Sequence, residues 1–138
     1  MNALDQLASR FAPLAGRVLL ALIFVISGYG KISGFAQTAD FMASKGMPIP
    51  EILLVGAIVV ELGGGILLIL GWQARLAALA LFLFMIPATL VFHAFWTVDA
   101  AQIQNQFVHF FKNLCIMGGM LYIMAFGSGP YSLQREKS

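Results

Sequence analysis

The chain has 138 residues, of which 60% are hydrophobic and 10% are charged, and its formal net charge is +2. Soluble domains carry about 25% charged residues, and the mean hydropathy here is +0.89, so the composition excludes an ordinary soluble domain and indicates a polytopic membrane protein. The small charge excludes nucleic acid as a partner, and the single cysteine, Cys115, excludes an internal disulfide or a thiolate metal cage.

The N-terminal third predicts one membrane span between two surface helices. Residues 1–13 form a short polar lead whose spaced apolar positions suit a helix lying at the membrane surface. Residues 14–29 form the first span, and residues 35–44 predict a short amphipathic helix that precedes a proline-braced turn. At helical spacing, one face of the first span carries a cation at each end, Arg17 and Lys31, with a packing stripe between them.

The second span, residues 52–72, is apolar and long enough to cross roughly 30 Å of hydrocarbon, yet it contains Glu61. At roughly 1.5 Å per residue, Glu61 lies about 13 Å deep, where a carboxylate is costly. Gly64 and Gly65 share its helical face and allow close helix packing, so Glu61 is expected to face the bundle. An intramembrane acid is a functional candidate, and the alternative is an ion pair that only holds helices together.

The third and fourth spans, residues 76–95 and 107–126, supply the remaining polar candidates and are joined by a polar loop over residues 97–106. His93 lies near the end of the third span. The fourth span places three polar residues on one helical face: His109, Lys112 and Asn113.

These elements predict an all-α membrane protein, a single domain over residues 1–138 that forms an antiparallel bundle of four transmembrane helices. In such a bundle Lys31, His93, His109 and Lys112 gather toward one surface, with Glu61 below them. A cation such as Lys112 could reach Glu61 through its long stem, with Lys31 as the other possible partner. His93 and His109 would complete a polar pocket whose walls are phenylalanines: Phe92, Phe95, Phe110 and Phe111.

The distribution of basic residues predicts the orientation of the bundle. One side of the membrane receives Arg10, Arg17, Arg75, Arg135 and Lys137, and the other receives Lys31, Lys45 and Lys112. Both termini are therefore expected in the cytoplasm, and the pocket is expected to open to the outer face.

Five segments carry a resemblance to a known family: GRVLLALIFVISGYGKISGF, ELGGGILLILGW with an arginine three residues later, TLVFHAFW, FFKNLCIMGG and GSGPYSL. Over nearly the whole chain this pattern resembles the DoxX family of small four-helix bacterial inner-membrane proteins. The resemblance implies a link to redox chemistry, because some members are membrane subunits of thiosulfate:quinone oxidoreductase and others associate with soluble thiol or superoxide enzymes. It also supports a characteristic polar set, Lys31, Glu61, His93, Lys112 and Asn113, whereas His109 rests on helical spacing alone.

Four functions are compatible with these residues. The first is a redox-associated membrane subunit that binds quinone, with Lys112, His93 or Asn113 on the quinone carbonyls and Glu61 relaying protons. The second is a scaffold in which the same residues form a structural ion-pair network, the third is a proton-coupled carrier of a small solute, and the fourth is a metal or haem site at His93, His109 and Glu61.

The chain is not expected to act as an enzyme alone, because the sequence offers no nucleophile beside a base, no phosphate loop and no thiolate cluster. A soluble or membrane redox partner would dock on an exposed loop or tail. A homodimer through the small residues Gly118 and Gly119 is the other expected partnership within the lipid bilayer.

Overall fold

The computed structural model describes residues 2–134, and most of them are helical. Four of the helices are long and apolar enough to cross a membrane. This confirms the predicted all-α, four-span architecture. The elements in chain order are α1 (Ala3–Ser33), α2 (Phe35–Ser44), α3 (Pro50–Leu70), α4 (Ala74–Phe92), a 3₁₀ turn (Phe95–Thr97) and α5 (Ala100–Phe126).

The spans pack in the order α1, α3, α4, α5, each antiparallel to the one before it. Glycines on the packed faces allow this close approach: a Cβ at Gly65 would lie 2.9 Å from Val25 of α1, and one at Gly64 would lie 2.8 Å from Leu81 of α4. α1 and α5 contact each other much less, around Leu20 and Gly119. The first and last spans of the bundle therefore meet over only part of their length.

Two helices are longer than the hydropathy pattern predicts. α1 begins at Ala3, so the predicted surface helix of residues 1–13 is instead the first part of the spanning helix, started by reciprocal capping bonds between Asn2 and Asp5. α5 begins at Ala100, so most of the predicted loop over residues 97–106 is helical. Hydropathy marks the part of a helix that suits lipid, whereas its hydrogen bonding continues into water. The bounds of α2 are those predicted.

At the end of the bundle that holds the N-terminus, the buried Arg17 guanidinium joins three segments. Its Nη1 donates to the carbonyl oxygens of Leu68 (3.1 Å) and Ile69 (3.4 Å), and its Nη2 donates to those of Pro130 (3.3 Å) and Tyr131 (2.9 Å). The Leu68 carbonyl also accepts from the Gly71 N–H, and a cation suits that end of the helix dipole, where carbonyls run out of intrahelical donors. Arg17 therefore caps α3 and fixes the C-terminal segment to it.

The basic residues lie at the two ends of the bundle as the four-span topology requires. The side of the membrane on which each end lies stays a prediction. Arg17 and Arg75 lie at the end that holds the N-terminus, where Arg75 donates to the Ala125 carbonyl. Arg135 and Lys137, on which the predicted orientation also depends, lie outside the described residues.

Gly71 allows a test of the Arg17 clamp, meaning the contacts by which Arg17 joins α3 to the C-terminal segment. The Gly71 φ of 63° is left-handed, and a Cβ there would overlap the Arg17 guanidinium and the Ser132 side chain. We expect Gly71→Ala to lower the free energy of unfolding by more than about 1 kcal/mol, measured by circular dichroism during unfolding in mixed micelles. Gly63→Ala is the matched control, because Gly63 lies inside α3 with open space around it. Equal stability of the two variants would contradict the clamp.

Candidate functional site

At the end of the bundle away from the N-terminus, the helices enclose a pocket of about 970 Å³. It lies between the last turns of α1 and α4, the first part of α3, α2 and the middle of α5. Its walls are mainly apolar, and five of the six predicted site residues line it: Lys31, Glu61, His93, Lys112 and Asn113. His109 lies next to the pocket, against His93 and Lys112.

Glu61 is paired with Lys31. The Lys31 Nζ lies 3.1 Å from Glu61 Oε1 and 3.0 Å from Oε2, and it also donates to Ser27 Oγ at 2.6 Å. The Glu61 side chain is 4% exposed and that of Lys31 is 25% exposed, so the carboxylate faces the bundle and its cation reaches in from the pocket. Of the two lysines that the sequence left possible, Lys31 is therefore the partner of Glu61, and the Lys112 ammonium is turned toward His109.

Lys112, His109, His93 and Gln106 form a polar chain beside the pocket. The Lys112 Nζ lies 3.1 Å from His109 Nδ1, the two imidazole rings stack with their centroids 5.1 Å apart, and His93 Nδ1 lies 2.8 Å from Gln106 Oε1. Since the ammonium only donates and the amide oxygen only accepts, His109 Nδ1 accepts and His93 Nδ1 donates. The His93 Nε2 atom is then left as an acceptor.

Asn113 has a packing role. Its Nδ2 donates to Thr89 Oγ1 at 3.0 Å, and Asn113 is 8% exposed while Thr89 is 3% exposed. This bond joins α4 to α5 in the apolar interior, where an unpaired amide or hydroxyl is costly. One of the two amide protons of Asn113 is therefore used in joining the two helices.

The phenylalanine walls differ from those predicted. Phe92 lines the pocket, but Phe95, Phe110 and Phe111 do not. Phe95 lies in the 3₁₀ turn after α4, from which its ring turns toward α5. The three rings join an aromatic cluster at this end of the bundle: Phe95, Trp96, Phe107, Phe110 and Phe111. The other phenylalanines that line the pocket are Phe24 of α1, Phe41 of α2 and Phe84, which lies on α4 with Phe92.

Sequence reasoning missed two polar partners. Ser27 precedes Lys31 by one helical turn, and that spacing is a signal that could have paired them. Gln106 was assigned to a loop, although it lies three residues before His109 and so on the same face of a helix that continues.

The histidines do not assemble with Glu61. His93 and His109 stack on each other, whereas Glu61 is held by Lys31. Within residues 2–134, no group of three or more histidine, cysteine, aspartate or glutamate side chains is placed to hold a metal ion. The described geometry therefore does not favour the metal or haem alternative.

The pairing of Glu61 with Lys31 rather than Lys112 can be tested by double-mutant cycles. Glu61→Ala leaves the partly buried Lys31 ammonium without its carboxylate and should cost about 2 kcal/mol of unfolding free energy, less than for a fully buried pair. Adding Lys31→Ala should cost at least about 1 kcal/mol less than the sum of the single losses, whereas losses for Glu61→Ala and Lys112→Ala should add. The measurement is unfolding in mixed micelles, and additivity with both lysines would remove the pair.

Comparison with known proteins gives matches over most of the chain. The sequence model of the DoxX family matches residues 12–94. Inner membrane protein YphA of Escherichia coli K12 is 32% identical over 123 residues, covering 89% of this chain and 88% of that protein. Inner membrane protein YqjF of the same strain is 34% identical over 122 residues, covering 88% of each.

A more distant match is the Surfeit locus protein 4 homolog of Drosophila melanogaster, 30% identical over 129 residues. These residues cover 92% of this chain but 41% of that protein. Among solved structures, none matches the sequence significantly.

The family match covers more than half of the chain, and two relatives named as inner membrane proteins align along most of their length. With four helices able to cross a bilayer, the chain is an integral inner-membrane protein. It belongs to the DoxX family.

Proposed function

We propose that the pocket binds a quinone and that the protein is the membrane subunit of a redox system. The observation that carries the proposal is the lining of the pocket, where apolar side chains surround a few polar groups. Sites for lipid-soluble ligands have this composition, and about 970 Å³ is at the upper end of their usual size, about 300–1,000 Å³.

The residues present suit a quinone head group. Lys112 lines the pocket and has ammonium protons beyond the one that His109 accepts, so it would donate to a quinone carbonyl. His93 Nε2 would accept from the hydroxyl of the reduced form. Phe24, Phe41 and Phe84 would hold the ring. A bound quinone supplies reversible two-electron chemistry that the amino-acid side chains lack.

The proposal extends to orientation and partners. The pocket would open at the outer face with both termini in the cytoplasm, and a soluble or membrane redox protein would dock on an exposed loop. A role for Glu61 in relaying protons stays a prediction. Both of its carboxylate oxygens contact the Lys31 ammonium, so the carboxylate is already engaged in an ion pair.

The second candidate is a scaffold without chemistry. It is favoured by the contacts that commit polar residues to helix packing, namely Lys31 with Glu61 and Asn113 with Thr89. A homodimer is compatible with either function, but Gly119 already packs against Leu20, so only Gly118 of the predicted pair has open space. The carrier alternative gains no comparable support from these contacts.

Quinone content tests the proposal. Protein purified in mild detergent and extracted with organic solvent should contain close to one quinone per chain. Gly56→Trp should lose it, because Gly56 lines the pocket and has open space for a larger side chain. Gly63→Trp should keep it, because Gly63 lies about two helical turns further along α3, has open space around it and is outside the described lining.

Lys112→Met should also reduce the quinone content, because it removes the donor for the carbonyl. Quinone no higher than in an unrelated membrane protein purified in parallel would favour the scaffold, as would equal loss in Gly56→Trp and Gly63→Trp. The next experiment would then be crosslinking in cells to find the partner.

A further inference from the structure

The charges that line the pocket do not cancel. Lys31, Glu61 and Lys112 are the charged side chains in its described lining. Both carboxylate oxygens of Glu61 lie on the Lys31 ammonium, at 3.0 and 3.1 Å, so these two charges neutralise each other. Lys112 is left as a net positive charge at the pocket.

Lys112 has a neutral partner and no anionic one among residues 2–134. Its Nζ contacts His109 Nδ1 at 3.1 Å, and no described carboxylate lies within ion-pair distance of it. The imidazole accepts only one of the ammonium protons. Lys112 is exposed and lines the pocket, so its remaining ammonium protons and its charge are available to a ligand, and the site favours a ligand that carries negative charge.

The pocket is also open to the side of the bundle. α1 and α5 meet around Leu20 and Gly119, and the pocket lies between them toward Lys31 and Lys112. Two of its lining residues, Ile26 and Ile52, are 67% and 68% exposed, so an apolar surface leads from the outside of the bundle into the pocket. A ligand with an apolar chain can enter from the bilayer without crossing water.

We infer that the pocket takes a single-chain amphiphile with a carboxylate head group. The carboxylate binds the Lys112 ammonium through a charge-assisted hydrogen bond, and the chain lies along the apolar wall. One uncompensated ammonium matches one negative charge. Such a ligand fills the space proposed for quinone and competes with it, so the inference rests on the proposed function and names a regulator of the same site.

The test compares two probes with the same chain, radiolabelled palmitate and the uncharged hexadecanol. The protein is reconstituted in nanodiscs of zwitterionic phosphatidylcholine, and the Kd of each probe is measured by scintillation proximity. Palmitate should bind about tenfold or more tightly than hexadecanol, because only palmitate forms the charge-assisted bond. Added palmitate should also lower the quinone content of the wild-type protein.

The variants assign this preference to Lys112. Lys112→Met should bring palmitate to the affinity of hexadecanol, and Lys112→Arg should keep the preference. Lys45→Met is the matched control, because the Lys45 ammonium lies over the Phe41 ring at 5.5 Å but outside the described lining. Lys112→Gln, which keeps a donor for His109, replaces Lys112→Met if that variant does not fold.

Equal affinities for the two probes in the wild-type protein, or an unchanged palmitate Kd in a folded Lys112 variant, would overturn the inference. Loss of palmitate binding in phosphatidylglycerol nanodiscs would assign the site to bilayer phospholipid and overturn it as well. Bound quinone without a palmitate preference would leave the proposed function standing and remove this inference. A palmitate preference without bound quinone would support the carboxylate site and contradict the proposed quinone binding.

Discussion

The ion pair between Lys31 and Glu61 is the constraint on which the pocket depends. A carboxylate in the middle of an apolar helix must meet a cation or lose its charge. Lys31 of the adjacent helix α1 supplies this cation, with its Nζ 3.0 Å from Glu61 Oε2. The backbones come close enough for this because Gly28 lies under Leu62, where a Cβ would approach to 2.7 Å. The pair therefore sets both the register of α1 on α3 and the electrostatics of the pocket, where it neutralises Glu61.

Arg17, near the middle of α1, applies the same principle at the C-terminal end of α3 with different partners. It is 2% exposed and contacts carbonyl oxygens rather than a carboxylate, which suits the negative end of the α3 dipole. The guanidinium can serve four carbonyls because its donors spread in a plane, which the single ammonium of a lysine cannot do. The two cations at the ends of the α1 stripe thus fasten α1 along the length of α3.

The sequence predicted the fold more fully than the site because the two depend on different information. Four spans and the helix Phe35–Ser44 follow from local hydropathy and proline positions, and the structure confirms them. Helical periodicity also placed Glu61 toward the bundle. Which lysine meets Glu61 depends on packing angles between helices, which one sequence does not contain, so both Lys31 and Lys112 remained possible. The predicted phenylalanine walls were wrong for a similar reason, since Phe95 lies in a turn whose direction hydropathy does not indicate.

The polar residues of the site fall into two groups, those that take part in helix packing and those that mainly contact one another. Lys31, Glu61 and Asn113 each have a partner on another helix, so their loss disturbs packing whether or not the protein binds anything. Lys112, His109 and His93 are connected to one another and to Gln106, and they join only α4 and α5. A loss of function in a Glu61 variant is therefore ambiguous between the two candidate functions. Lys112 separates them, because it is the lining residue whose charge the described structure leaves without an opposite charge, and a scaffold has no use for that charge.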